Sequence, residues 1–333
     1  MSLITAVSGA PFARMLGVGS YSPARVVTNA EMCERIDSTD EWIRERSGIT
    51  ERRFAAPDET VADMAVAAAS KALASAGITA TQVDCVIVAS VTHLKATPSA
   101  AAEVSHRLGA GRAPAFDISA ACAGFCYGLS MAQDFIRGGS AKYVVVIGVE
   151  KLTDIVDPND RSTAFLFADG AGAAVIGPSD TPAIGPTVWG ADGSQLDAIT
   201  MSGRYEDLRD NDTAEYPHVV MQGQTVFRWA VHDMSIVAQQ ALDAAGITAD
   251  QLDAFIPHQA NLRIVDAMVR SLKLPADIPV ARDIVTSGNT SAASIPLAMD
   301  HMLQAGQIRS GGLALLIGFG AGLAYAAQVV ELP

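Results

Sequence analysis

The sequence is poor in cysteine, and its cysteines lack the spacing of a disulfide framework. Only Cys33, Cys85, Cys122 and Cys126 occur among 333 residues. This usage favours a reducing compartment, so we expect a cytoplasmic protein. No His, Cys and Asp residues have the spacing of metal ligands, and we expect no metal.

Positive charge is also scarce. The chain has 23 Lys and Arg residues against 36 Asp and Glu residues, which gives a net charge of −13. Non-specific binding of nucleic acid is therefore disfavoured, and an acidic partner would need a local basic patch. Charged residues make up 18% of the chain and apolar residues 50%, a composition that excludes a disordered protein and allows a large core.

Membrane-targeting signals are missing as well. Residues 1–14 contain no basic segment followed by an apolar core, so we predict no signal peptide. Segment 313–330 has no charge over 18 residues, the length at which a membrane helix must be considered. Gly318, Gly320 and Gly322 would destabilise such a helix. We predict instead two buried strands joined by a turn.

An internal repeat organises the chain. Residues 72–84 read ALASAGITATQVD, and residues 241–253 read ALDAAGITADQLD. Each string indicates a helix end, a glycine cap, a short loop and the approach to a strand. We predict a duplicated fold whose halves, 1–180 and 181–333, are related by a pseudo-twofold axis. Runs of Val, Ile and Leu between helices indicate an α/β fold with buried sheets.

Cys122 stands where an apolar strand and a turn of small residues lead into an apolar helix, in the string FDISAACAGF at 116–125. At a helix N-terminus a thiol meets unpaired backbone N–H groups and the positive end of the helix dipole, which favour the thiolate. Cys122 is therefore a candidate for covalent catalysis. A small buried hydrophobic residue is the alternative.

A cysteine nucleophile usually needs a histidine and a polar orienting group from elsewhere in the sequence. His258 ends the apolar strand 255–257, at the edge where ligands bind in α/β sheets. The other five histidines lie in polar or helical surroundings. The element that carries Cys122 in the first half carries Asn289 in the second, so both helix starts can face one site. A helix N-cap is the alternative role for Asn289.

Other motifs suggest binding surfaces. Ser38 and Glu41 predict a capping box, followed by Trp42 and Arg46 on one helix face, where an indole beside a guanidinium can stack on adenine. A half-buried surface Trp is the alternative. Two glycine-rich strings, 168–172 and 318–323, lack the full dinucleotide fingerprint, and we interpret both as tight turns near the site.

Three strings together carry a family resemblance. ACAGF at 121–125, PHQAN at 257–261 and GNTSAAS at 288–294 resemble the β-ketoacyl-[acyl carrier protein] synthase III family of the thiolase superfamily. The resemblance extends from 17–21 to 318–322. It implies a thiolase-like fold in α-β-α-β-α layers and a homodimer. It implies no cofactor, because coenzyme A enters as part of the substrate.

The resemblance also implies a triad of Cys122, His258 and Asn289. An acyl group would pass from acyl-CoA to Cys122, and malonyl-[acyl carrier protein] would lose CO2 to give an enolate that attacks the acyl-cysteine. Backbone N–H groups of Cys122 and Ala321 would form one oxyanion hole. His258 Nε2 and the Asn289 amide would stabilise the enolate, which requires a neutral imidazole.

Binding positions follow from the same resemblance and from the charge pattern. For coenzyme A they are Trp42, Arg46 and Arg161 at the adenine and Gly223 and Asn261 near the pantetheine arm; for the carrier protein, Arg228, Arg263, Arg270 and Lys273; for the acyl pocket, Thr97 and Phe319. A solvated helix face is the alternative reading of the basic residues. Relatives often carry Phe at the position of Thr97, contributed across the dimer, so we expect branched or medium acyl primers to be accepted besides acetyl-CoA.

Several activities remain as alternatives. Elongating synthases use a second histidine and thiolases a second cysteine, so Asn289 argues against both. A polyketide starter-unit synthase, or an acyltransferase to another acceptor, shares the expected residues. A cysteine amidase or thioesterase would need a base that activates water, whereas His258 with Asn289 suits enolate stabilisation.

Overall fold

The computed structural model describes residues 7–211 and 213–333. Its strands are β1 Phe12–Tyr21, β2 Arg25–Thr28, β3 Glu51–Phe54, β4 Cys85–Ala89, β5 Ala115–Ile118, β6 Val144–Lys151, β7 Asp169–Ser179, β8 Val188–Gly190, β9 Ile199–Met201, β10 Val219–Met221, β11 Ala254–Pro257, β12 Leu313–Gly320 and β13 Ala324–Glu331. Its α-helices are α1 Asn29–Met32, α2 Asp40–Ser47, α3 Val61–Ala76, α4 Ala100–Leu108, α5 Gly124–Gly138, α6 Tyr205–Asp210, α7 Gly223–Ala245, α8 Leu262–Ser271, α9 Ile284–Ser287 and α10 Ser294–Gln304.

Two central sheets share one topology. The first has the order β1-β7-β6-β4-β5 and the second β8-β13-β12-β11. In each sheet the first two pairings in this order are antiparallel and the pairings that follow are parallel. A parallel bridge from Phe255 to Val280 occupies the place that β5 has in the first sheet. The duplication predicted from the repeat is therefore present; the boundary at residue 180 stays a prediction.

The repeated strings form the same local structures. Helix α3 ends at Gly77 with φ 65°, and α7 ends at Gly246 with φ 67°, the left-handed conformation that favours glycine. Each glycine is followed by a short 3₁₀ turn with a capping box, at Thr79 in the first copy and Thr248 in the second. Both turns deliver the chain into a buried strand, β4 or β11.

Alternating side chains on these strands bind three layers of helices to the two sheets. On β4, Val86 and Val88 face α3 and α4, whereas Ile87 faces α5 and α10, as the period of two in a strand requires. On β11, Ile256 joins the same central core and Phe255 faces α7 and α8. The layers therefore follow the order α-β-α-β-α.

The two glycine-rich strings have different structures. String 318–323 ends β12 and turns into the antiparallel strand β13, as predicted. The turn predicted at 168–172 is wrong, because most of this string lies inside β7. A Cβ at Gly172 would lie 2.6 Å from the backbone nitrogen of Leu297, so glycine allows α10 to pack on this strand. No helix in the described ranges is long and apolar enough to cross a membrane.

Candidate active site

Two turns related by the duplication meet at the site. The 3₁₀ turn Ala121–Ala123 joins β5 to α5, and the turn Ser291–Ala293 leads into α10. Each begins with a non-glycine residue in the left-handed region, Ala121 at φ 45° and Ser291 at φ 49°. Such a conformation costs about 1–2 kcal/mol per residue and persists where surrounding packing enforces it. The two strained residues, Ala121 and Ser291, line the same cavity as Cys122, the candidate nucleophile.

Strand β12 ends directly against Cys122. A Cβ at Gly320 would lie 2.9 Å from the backbone nitrogen of Cys122 and 3.0 Å from its Sγ. Only glycine permits this approach, which brings the following backbone at Ala321 beside Cys122. Both residues line the same cavity, and the oxyanion hole expected from their N–H groups stays a prediction.

Cys122, His258 and Asn289 line one cavity of about 380 Å³. They reach it from different elements of the fold: the turn after β5, the end of β11 and the loop before α10. The walls are mainly apolar and include Ile155, Leu166, Phe167, Met201, Val219, Val226 and Phe319. An apolar cavity with a few convergent polar groups is typical of a small-molecule site.

The surroundings of His258 define its protonation. The side chain is 2% exposed, and its Nδ1 lies 2.7 Å from Ser294 Oγ. That oxygen also accepts the Gln259 N–H at 3.3 Å. A serine proton donated to Nδ1 would place the imidazole proton on Nε2. Burial lowers the pKa of His258 to about 3. The imidazole is neutral, as enolate stabilisation requires.

Asn289 is held by backbone and side chain. Its N–H donates to Leu166 O and its carbonyl accepts from Ala168 N–H, both at 2.9 Å, which makes a parallel bridge at Phe167. Its Oδ1 accepts the Ser291 N–H at 2.9 Å. Because the amide oxygen is used in this way, the Nδ2 group is the end that can donate to a ligand.

The thiol of Cys122 differs from expectation. Burial raises its pKa to about 12, and the carboxylate of Glu150 also raises it, while a hydrogen bond with Ser291 lowers it. A resting thiolate is therefore the wrong prediction, because desolvation outweighs the favourable helix start. A nucleophilic attack by this thiol would require the loss of its proton.

The residues expected to bind adenine come together. The Trp42 ring is flanked by the guanidinium carbons of Arg161 at 5.0 Å and Arg46 at 5.7 Å from its centroid. Helix α2 starts after Thr39, whose Oγ1 accepts the Trp42 N–H at 3.1 Å. The predicted Ser38–Glu41 capping box is wrong, because Thr39 takes the N-cap position. The binding role of the cluster stays a prediction.

The residues expected near the pantetheine arm join this cluster to the cavity. Gly223 and Asn261 both line the cavity. Asn261 caps α8 and donates from Nδ2 to Arg46 O at 2.8 Å. Asn261 thus connects the Trp42 and Arg46 end of the predicted coenzyme A site to the cavity.

The four basic residues predicted to form a patch are exposed. Arg228 lies on α7 and Arg263 and Arg270 on α8, with Lys273 two residues beyond that helix. The guanidinium of Arg263 lies over the Phe227 ring at 4.9 Å from its centroid, so Arg263 contacts α7 next to Arg228. No carboxylate of the described residues lies within salt-bridge distance of any of the four.

Of the two residues predicted for the acyl pocket, one lines the cavity and the other does not. Phe319 lines the cavity and packs edge-on against the imidazole of His258 at 5.3 Å between ring centroids. Thr97 is exposed and does not line the cavity of its own chain. Its predicted contribution across a dimer stays a prediction.

Sequence reasoning misses three polar residues of the site: Glu150, Ser291 and Ser294. The serines stand in the string that carries Asn289, where a serine is also an ordinary residue of a helix start. Glu150 has a usable signal, since it is an acid near the end of the apolar run 144–149. No group of three or more His, Cys, Asp or Glu residues in the described part could hold a metal ion.

The five-layered duplicated fold, with a cysteine, a neutral histidine and an amide around one cavity, defines a condensing enzyme of the thiolase superfamily. Residues 116–193 match the family model described as 3-oxoacyl-[acyl-carrier-protein (ACP)] synthase III, and residues 242–332 match the model of its C-terminal part. The chain belongs to the β-ketoacyl-[acyl-carrier-protein] synthase III family.

Individual relatives cover between 96% and 100% of the chain. A β-ketoacyl-[acyl-carrier-protein] synthase III of Streptomyces glaucescens is 59% identical over 100% of both chains. The crystal structure of the priming β-ketosynthase from the R1128 polyketide pathway has a TM-score of 0.97 at 49% identity, covering 99% of this chain and 98% of the other. The synthase III of Aquifex aeolicus has a TM-score of 0.88 at 39% identity, covering 96% and 99%.

Proposed function

We propose that this enzyme condenses an acyl-CoA primer with malonyl-[acyl carrier protein] to give a 3-oxoacyl-[acyl carrier protein], the first condensation of fatty acid synthesis. One observation carries the proposal: Cys122, His258 and Asn289 converge on one apolar cavity. Their chemistry is complementary, because a nucleophile needs an acyl group and a pair of neutral donors needs a developing oxyanion.

The first half-reaction uses Cys122. Its sulfur attacks the thioester carbonyl of the acyl-CoA, and the backbone N–H groups of Cys122 and Ala321 stabilise the oxyanion. The carbon–sulfur bond to coenzyme A then breaks and the acyl group stays on Cys122. The close approach of Gly320 to the nucleophile supports this arrangement.

The second half-reaction uses His258 and Asn289. Their N–H groups donate to the thioester carbonyl of the malonyl substrate, whose carbon–carbon bond to the carboxylate breaks with release of CO2. The electron pair left behind forms an enolate, which attacks the acyl-cysteine carbonyl and releases the Cys122 thiolate. Each donor is worth about 2.7–4 kcal/mol of barrier by analogy with other oxyanion holes.

Recognition of the two carriers is assigned to separate surfaces. The stacked cluster of Trp42, Arg46 and Arg161 suits a purine ring with nearby phosphates. Arg228 and Arg263 carry the basic patch at the start of α7 and α8, where an acidic carrier protein can dock despite the net charge of −13.

The assembly is proposed to be a homodimer in the cytoplasm. Strand β5 is the outer strand of the first sheet and is only half-buried, and the adjoining loop exposes Val91 and Leu94 at 37% and 44%. A second copy that covers this edge would bring Thr97 to the partner's acyl pocket. The described cysteines are all free, which suits a reducing compartment.

A second candidate function is the priming of an aromatic polyketide. The specific observation is the similarity to the R1128 priming ketosynthase, together with a small residue at Thr97. The two functions share their chemistry and differ in primer and in the pathway that takes the product. A primer series from acetyl-CoA to branched and medium chains, followed by transfer to fatty acid or polyketide enzymes, separates them.

The main experiment supplies radiolabelled acyl-CoA with and without malonyl-[acyl carrier protein]. We expect label on Cys122 without the malonyl substrate and labelled 3-oxoacyl product with it. The variant Cys122→Ala should lose both, and Asn289→Ala should lose only the second. Release of labelled free acid by the wild-type chain would instead indicate a thioesterase and contradict the proposal.

A further inference from the structure

Glu150 is a buried acid that the reaction described above does not use. It lies in β6 with 0% of its surface exposed, and no cation in the described ranges lies within salt-bridge distance of it. Its neighbour Lys151 turns away and donates to Pro57 O at 3.1 Å. An unpaired buried carboxylate costs several kcal/mol, so burial favours the protonated form of this side chain.

The two carboxylate oxygens of Glu150 are used differently. Oε2 accepts from Thr92 Oγ1 at 2.7 Å, from Val91 N–H at 3.1 Å and from Ser90 Oγ at 3.2 Å. Oε1 accepts from Ser291 Oγ at 3.1 Å. Burial raises the pKa of the Glu150 carboxyl to about 7. Near neutral pH this group is therefore able to take up a proton.

Ser291 joins this carboxylate to the nucleophile. Its Oγ donates to Glu150 Oε1 at 3.1 Å, and Ser291 lines the same cavity as Cys122, where its side chain lowers the pKa of the thiol. The residue is held in the left-handed conformation at φ 49° and by the bond from its N–H to Asn289 Oδ1. A hydroxyl with one proton can donate to the carboxylate while it accepts from the thiol. Ser291 therefore stands between the buried carboxylate, to which it is hydrogen-bonded, and the cavity that Cys122 lines.

We propose that Glu150 accepts the proton of the Cys122 thiol through Ser291 as the thiol attacks. The S–H bond breaks and an O–H bond forms on Ser291, whose own proton moves to Oε1. The electron pair left on sulfur forms the bond to the thioester carbon. When the bond to coenzyme A breaks, the proton returns through Ser291 to the departing sulfur. This inference rests on the proposed function only in that acyl-CoA is the electrophile; the proton transfer itself does not depend on which electrophile the thiol attacks.

Two other roles for Glu150 make opposite predictions. As a fixed negative charge, it would only make the Cys122 thiolate less stable, and its removal would make the thiol more reactive. If Glu150 served only to hold loop 90–92 by hydrogen bonds, its removal would disturb the structure of the whole site. Glu150→Gln separates these roles, because an amide keeps the size and can bond to the same neighbours but cannot accept the proton.

The test measures alkylation of Cys122 by iodoacetamide at pH 7, which needs no acyl-CoA and so does not depend on the proposed function. Glu150→Gln and Ser291→Ala should each slow alkylation by about 10²-fold, a usual size for base catalysis. The double variant should be no slower than the slower single variant, because the residues act as a unit. Alkylation of Cys33, followed by mass spectrometry, is the internal reference.

Thermal unfolding, which needs no substrate, is the control for an intact fold. We expect both variants to unfold close to the wild type and to alkylate Cys33 at the wild-type rate. Faster or unchanged alkylation of Cys122 in Glu150→Gln would overturn the proposal, and so would a slower alkylation of Cys122 that is accompanied by a loss of thermal stability in both variants. If Glu150→Gln fails to fold, the alkylation rate of Ser291→Ala tests the same proton transfer.

Discussion

The replacement Ser294→Ala tests the protonation of His258 most directly. Ser294 is 1% exposed, and its hydroxyl lies 2.7 Å from Nδ1 of the imidazole and accepts the Gln259 N–H at 3.3 Å. Removing it leaves two buried polar groups without this partner. Each such group costs about 1–3 kcal/mol.

Part of that cost appears in catalysis. Without the serine hydroxyl, the Nε2–H tautomer of His258 loses its preference, and a smaller fraction of the enzyme can donate to the malonyl carbonyl. A loss of about 1.4–2.8 kcal/mol corresponds to a 10- to 100-fold slower decarboxylation. Acylation of Cys122 should stay within about threefold of the wild type, since the proposed mechanism gives the imidazole no part in the attack of the thiol on acyl-CoA.

The assay follows CO2 release from malonyl-[acyl carrier protein] and CoA release from acyl-CoA in separate reactions. Ser235→Ala is the matched control, because Ser235 is a buried serine whose hydroxyl donates to Val231 O within α7, away from the cavity. It should change neither half-reaction. A decarboxylation rate for Ser294→Ala within twofold of the wild type would refute the tautomer argument, as would equal losses in both half-reactions.

Four further predictions concern the site and its surroundings. Gly320→Ala should displace Cys122, whose Sγ would lie 3.0 Å from the new Cβ, lower stability by about 1–3 kcal/mol and slow acylation about 10²-fold, as measured by CoA release. Folding lowers the pKa of His258 from 6.5 to about 3, so between these pH values the unfolded chain binds a proton that the folded chain does not. The free energy of unfolding of the wild type, measured by urea titration, should therefore fall by a few kcal/mol relative to that of His258→Gln as the pH falls from 6.5 to 3. Arg263→Glu should raise KM for the malonyl carrier at least about tenfold with acylation unchanged. Thr97→Phe should narrow the range of accepted primers toward acetyl-CoA in a primer series.

Each of the four has a control or a contradicting result. Gly138→Ala adds a methyl group where a Cβ meets nothing within 4 Å and should leave both half-reactions intact. A constant difference in stability between wild type and His258→Gln across the pH range would contradict the neutral buried imidazole. Equal losses in both half-reactions for Arg263→Glu, or an unchanged primer profile for Thr97→Phe, would reject those two interpretations.

Much of the fold is predictable because its signals are local. The strings around Gly77 and Gly246 specify helix ends and 3₁₀ turns by glycine conformation and side-chain caps, and both copies form them. Strands β4, β6 and β11 are apolar runs of ordinary strand length. The turn prediction for string 168–172 is wrong because its glycines serve packing against α10, which depends on a segment more than 100 residues away.

The site is predictable to the level of its residue types. Cys122, His258 and Asn289 each end or begin an element in the sequence pattern, and the duplication brings those ends together. Ser294 and Ser291 are beyond such reasoning, since a serine in a small-residue turn is a common helix-start residue. Ser294 contacts His258 because β11 ends beside it, and Ser291 contacts Glu150 because β6 does. Both contacts depend on tertiary structure.

The sequence alone supplies the order of the elements from neighbours within a few residues, the duplication from the repeated strings 72–84 and 241–253, and the expected triad from a family resemblance. The protonation of those side chains is a property of the tertiary structure. Burial keeps the Cys122 thiol protonated and the His258 imidazole neutral, and desolvation arises only when distant segments exclude water from the same cavity.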